Sequence, residues 1–115
     1  MNKPTDVVIV AAARTPWSRF GGTLRDYHST DLGAMVIKEV LRRAGIDSNN
    51  VDEMFYGMCV QPEAGLEYNV NARQALLKAG CRADLVSLTI DRACCSSMAS
   101  VQLCYRSLTL GETES

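Results

Sequence analysis

The stretch Val86–Gly111, VSLTIDRACCSSMASVQLCYRSLTLG, holds a strand, a turn and a helix in succession. Ser87 to Asp91 alternates in the manner of a short strand. Cys94 to Leu110 carries Met98, Val101, Tyr105 and Leu108 at steps of three and four, the period of a helix with one apolar side. Gly111 ends it. The same grammar precedes it. Glu53 to Val60 (EMFYGMCV) reads as a strand in which Gly57 permits close backbone approach. Gln61 to Tyr68, with Pro62 and Gly65, reads as a loop. Val70 to Ala79 reads as a helix packing through Ala72, Ala75, Leu76 and Ala79 and stopped by Gly80. Earlier still, Val7 to Val10 is a β-branched run suited to a buried parallel strand. After Phe20-Gly21-Gly22, Ser29, Thr30 and Asp31 offer N-caps to a helix packing through Leu32, Val36, Ile37, Val40 and Leu41. Lys38, Glu39, Arg42 and Arg43 fall on its solvent side, and Gly45-Ile46 is a Schellman-type ending.

The three stopping glycines, Gly45, Gly80 and Gly111, recur at the length of one strand-plus-helix unit. Three such units in series predict an α/β chain with a mostly parallel sheet and helices outside it.

Composition narrows the function. The chain has 115 residues, 47% hydrophobic and 22% charged, with 12 basic against 13 acidic side chains. That balance is globular and offers no basic excess for nucleic acid. No apolar run approaches the ~20 residues that span a bilayer. Asp6 interrupts the approach to Val7–Ala13 and Lys3 is its only positive charge, so the start is read as a strand and not as a secretory signal. The five cysteines are Cys59, Cys81, Cys94, Cys95 and Cys104. An odd number with two adjacent suits reduced thiols in the cytoplasm. His28 is the single histidine and no Cys-x-x-Cys pair occurs, so no metal site is expected.

Asp91 to Met98 falls at the carboxyl end of a strand, where open α/β sheets receive ligands. It also opens a helix. A thiol there meets unpaired N–H groups and a partial positive charge, which favour thiolate and can hold an oxyanion. Ser96 and Ser97 leave room for a substrate. Simple burial is the competing reading of either cysteine, and the chain offers no evident partner base.

Ile90-Asp91-Arg92-Ala93-Cys94-Cys95-Ser96-Ser97-Met98 resembles the nucleophile segment of the thiolase family, a cysteine followed by Gly-Ser-Gly or Gly-Ser-Ser-Met. Ala12-Ala13-Arg14-Thr15-Pro16 with Phe20-Gly21-Gly22 resembles the family's opening motif. Ala72 to Gly80 resembles its second-helix motif, and Leu103 to Gly111 the helix after the nucleophile. The similarity runs from about Val7 to Ser115.

The resemblance implies a thiolase-like layered αβα fold and acyl transfer to coenzyme A. Cys94 matches the nucleophile. Its thiolate would attack the keto carbon of a 3-ketoacyl-CoA, release acetyl-CoA and hold the acyl group as a thioester until free coenzyme A takes it. The reverse direction is a Claisen condensation. Coenzyme A and acyl-CoA are then substrates, and no bound cofactor or metal is implied. Ser97 matches the two-serine variant often seen in degradative 3-ketoacyl-CoA thiolases of fatty-acid metabolism. Cys95 stands where the family commonly has glycine, and Val70-Asn71 where it often has Asn-Pro.

The family also uses a histidine and a second cysteine near the C-terminus of a much longer chain, and assembles as dimers or tetramers. His28 matches neither group and is expected as an exposed loop or helix-cap residue. Cys59 and Cys104 are expected in the core and Cys81 at the periphery. The expectation is therefore that residues 1–115 are the N-terminal part of a thiolase N-terminal domain, incomplete by themselves and homo-oligomeric when complete. The alternative is a catalytically inactive, thiolase-like module that associates with a partner chain. A redox sensor built on Cys94 and Cys95 is disfavoured by the strain of a disulfide between neighbours.

Overall fold

The computed structural model describes residues 6–59 and 70–115. In chain order they form α1 (Ser29–Ala44), a 3-10 turn (Ser48–Asn50), β1 (Glu53–Gly57), α2 (Asn71–Ala79), β2 (Val86–Ile90) and α3 (Ser96–Leu110). β1 and β2 are parallel, with Glu53 opposite Val86 and Gly57 opposite Ile90. α2 is the crossover between them, as a parallel pair requires.

The pleat assigns each helix to a face. Tyr56 donates its hydroxyl to Ser29 O (3.3 Å), and Thr89 accepts the Ala72 N–H (2.9 Å), so this face meets α1 and α2. Glu53 and Gly57 point the other way. Ser107 of α3 donates to Glu53 Oε2 at 3.1 Å. The architecture is therefore α/β with helices on both sides of a parallel pair, as expected from the repeated units.

The three stopping glycines do what their spacing predicts. Gly45, Gly80 and Gly111 have φ of 66°, 84° and 71°. The residue after each returns its N–H to a carbonyl five back: Ile46 to Leu41, Cys81 to Leu76, Glu112 to Ser107. At the start of α1 the cap is His28, not the Ser29–Asp31 group. Asp31 sits three residues in and accepts the His28 N–H at 3.1 Å, half of a capping box. His28 is exposed, in keeping with a cap role.

α1 and α2 are pinned by Lys78, which donates to Asp31 Oδ1 (2.6 Å) and Thr30 Oγ1 (3.0 Å). On the solvent side of α1, Glu39 accepts from Arg42 and Arg43, and these bonds lower its pKa to about 2. The core is Leu76, Cys81 and Leu85, flanked by Ile37, Leu41, Val51, Met54 and Ala79. Burying Leu76 completely is worth about 2 kcal/mol.

Other expectations also need correction. Val7–Val10 is not a strand: Val8, Ile9 and Val10 are exposed, and the only ladder among the described residues joins β1 to β2. A strand needs a hydrogen-bonding neighbour, and among the described residues none pairs with this segment. Just after it, Ala12 O accepts from Arg43 at 2.8 Å. β1 stops at Gly57, short of Val60, and β2 begins one residue earlier than expected, at Val86. Helix α3 begins at Ser96, so Cys94 precedes it and Cys95 is its cap. The cysteines exchange places: Cys81 is in the core, whereas Cys59 and Cys104 are exposed. Cys81 is the residue after a Schellman glycine, a position that packs back onto its own helix. The loop expected over 61–68 lies outside the described residues.

Candidate active site

The turn between β2 and α3 is built from backbone hydrogen bonds and two short side chains. Asp91 Oδ1 accepts the Ala93 N–H (3.0 Å), which starts the reversal directly after the strand. Cys95 N–H reaches Arg92 O and Ser96 N–H reaches Ala93 O, both at 3.1 Å. Ser96 then closes the turn from inside. Its hydroxyl accepts the Arg92 N–H (2.9 Å) and donates to Ala93 O (2.6 Å). Ser96 is buried while Asp91 to Cys95 are exposed, so one hydroxyl anchors a turn that projects outward.

Ala93 has φ of 49°, a left-handed conformation that costs an L-residue roughly 1–2 kcal/mol. It directly precedes Cys94. The hydrogen bonds around it hold the strained residue in place and present Cys94 at the carboxyl end of β2. Cys94 and Cys95 are both exposed. Just beyond them, the N–H groups of Ser97 and Met98 have no acceptor among the described residues, as the first turn of a helix predicts.

Gly57 lies against this first turn. A Cβ built on it would stand 2.5 Å from Ser96 C and Ser97 N, and 2.6 Å from Ser97 Cα. The close approach expected at this glycine is present, and it is made to α3. Sequence reading placed Cys94, Ser96 and Ser97 at the junction of a strand and a helix, and the structure has them there. That reading missed the roles of Asp91, Ala93 and Ser96. Asp91 two residues before Ala93 is an Asx-turn spacing and was the available signal; a left-handed alanine leaves none.

His28 caps α1, and Cys81 lies in the core, where burial pushes its thiol up. Although exposed, the Cys104 thiol is also raised, first by local cover and then by the Glu53 carboxylate. No group of three or more metal-ligating side chains occurs among the described residues. No helix among them is long and apolar enough to cross a membrane.

Comparison with known proteins gives this turn a setting. The family model described as "Thiolase, N-terminal domain" matches residues 7–115. An acetyl-CoA acetyltransferase of Escherichia coli (strain K12) is 43% identical over 108 residues, 94% of this chain and 27% of the relative. Another from Syntrophomonas wolfei is 40% identical over 109 residues, 95% of this chain and 27% of that protein. Among solved structures, the Bacillus anthracis acetyl-CoA acetyltransferase superposes with a TM-score of 0.85 at 33% identity, over 92% of this chain and 26% of that one. The chain thus spans about a quarter of the length of the relatives it matches.

Proposed function

The chain belongs to the thiolase family, matched from residue 7 to 115, and from that premise we propose that it carries the nucleophile of an acyltransferase acting on acyl-CoA and coenzyme A. The observation that carries the proposal is Cys94, exposed in a turn held by hydrogen bonds at the carboxyl end of β2. Residues 1–115 are then the N-terminal part of a thiolase N-terminal domain, working within a homo-oligomeric enzyme.

In the degradative direction the Cys94 sulfur bonds to the keto carbon of a 3-ketoacyl-CoA. The carbon–carbon bond breaks and its electron pair leaves with the acetyl-CoA fragment, which takes up a proton. The acyl group remains on Cys94 as a thioester. Coenzyme A thiolate attacks that carbonyl, and the Cys94 sulfur leaves. Condensation of two acyl-CoA molecules is the reverse path. The first turn of α3, where the Ser97 and Met98 N–H groups have no acceptor among the described residues, is a kind of backbone that can hold oxyanion charge. The histidine and second cysteine that supply the acid and base in the family have no matching motif in residues 1–115.

Incubation with acetyl-CoA followed by intact mass measurement tests the nucleophile. The 115-residue chain is expected to acquire one acetyl group slowly, to lose that labelling in Cys94→Ala, and to show no turnover. Acetylation that persists unchanged in Cys94→Ala overturns the assignment. A second reading is a non-catalytic module that works by association. The exposed apolar side chains of β2 and α3, Leu88 and Val101 among them, favour it. Partner-dependent binding with no acyl transfer at any stage would support that reading instead.

A further inference from the structure

Gly57 touches both ends of the Cys94 turn. It is the last residue of β1 and pairs with Ile90, directly before Asp91. The next residue, Met58, donates its N–H to Ile90 O at 3.0 Å. On its other side Gly57 meets Ser96 and Ser97, the first two residues of α3. One residue therefore sets the spacing between the strand that enters the turn and the helix that leaves it.

The contact leaves no room for a side chain. The atoms a Cβ would meet at 2.5–2.6 Å belong to backbone and cannot rotate aside. Restoring ordinary contact requires α3 or β1 to move by about 1 Å. On the α3 side the contacted residue is Ser96, whose hydroxyl holds the Arg92 N–H and the Ala93 carbonyl on the two residues before Cys94.

We propose that Gly57 and Ser96 are positioning residues for Cys94: Gly57 seats the first turn of α3, and Ser96 carries that seat into the turn bearing the thiol. Their importance for catalysis rests on the reading of Cys94 as the acyl acceptor, but the contacts themselves do not. Displacements of this size cost up to about 100-fold in rate where a reacting group must be placed. Gly33 supplies the contrast. A Cβ there meets the hydroxyl and Cε2 of Tyr56 at 2.7 and 3.0 Å and the Ala75 Cβ at 3.3 Å, all side-chain atoms, on the face of the sheet opposite the Cys94 turn.

The test is the rate of Cys94 alkylation by iodoacetamide across pH, read by peptide mass in a Cys95→Ala background with free glutathione in the same mixture as standard. Gly57→Ala and Ser96→Ala are each expected to change the Cys94 rate relative to glutathione by about fivefold or more and to displace the pH–rate profile of Cys94. Gly33→Ala is expected to leave both at the parent values. Circular dichroism identifies the folded variants. If Gly57→Ala does not fold, Ser96→Ala decides, since it removes the hydroxyl without adding bulk. A folded Gly57→Ala or Ser96→Ala with the parent Cys94 profile overturns the proposal. Acetyl label found on Cys95 in the unmodified chain would refute the acyl-acceptor reading, while the alkylation profile still reports on the seat.

Discussion

Asp31 shows how much one side chain can be asked to do. It accepts the His28 N–H at the start of α1 and the Lys78 ammonium from α2. The Lys78 hydrogen bond, and after it the His28 N–H, lower its pKa from the ordinary 3.8. A carboxylate with a depressed folded pKa contributes stability above its unfolded value and loses it as pH falls through the folded one. The pair is about one-third exposed, so solvent screening limits it to about 1 kcal/mol. Urea unfolding should find Asp31→Asn less stable than the parent at pH 6, with the gap closing by pH 2. A gap that persists at pH 2 would mean that the carboxylate charge is not its source. The Cys81 reversal is also a matter of single residues. Hydrophobicity alone places a cysteine after a stop glycine at the edge. The Schellman bond from Cys81 N–H to Leu76 O turns it inward beside Leu76 and Leu85.

At the scale of the element, α3 is the instructive case. Its apolar stripe predicts Met98, Val101 and Tyr105 facing the sheet, yet these are 75%, 65% and 53% exposed. The buried side is Ser96, Ala99, Ser100 and Ser107, with Leu103 half-buried. Periodicity was legible because the spacing of three and four is real. The orientation was not, because the reading equates apolar with buried. Close approach at Gly57 selects small residues, and the serine hydroxyls are satisfied locally, Ser100 by Ser96 O at 3.0 Å and Ser107 by Glu53. Ala99→Leu should therefore lower stability by about 1–3 kcal/mol through overpacking. Val101→Thr should change it by less than about 0.5 kcal/mol. Denaturant midpoints of the two variants check the order, and the reverse order would show that the stripe is the packed side.

For the molecule as a whole, the accessible surface is 8404 Å², against about 6,200 Å² expected for a compact monomer of this mass. Exposed large apolar side chains include Val8, Ile9, Val10, Val86, Leu88, Met98 and Val101. Where such side chains gather into a patch they mark a surface that binds something. The 115-residue chain alone is expected to enhance anilinonaphthalene sulfonate fluorescence, and Met98→Gln with Val101→Gln should reduce the signal. No enhancement in the parent would mean that this surface is covered in solution. The order of elements and the parallel sheet were legible because strand and helix signals alternate down the chain. The unpaired Val7–Val10 was not, since a strand signal in one segment says nothing of its neighbour in space. The serine-lined seat of α3 has a thermal consequence. Apolar burial supplies most of the heat-capacity change of unfolding and weakens on cooling. The side of α3 that meets the sheet carries Ser96, Ala99, Ser100 and Ser107 with the half-buried Leu103, and supplies less of it than the Leu76 core. The docking of α3, and with it the Cys94 turn, should persist in the cold while the Leu76 core loosens, and should give way first on heating.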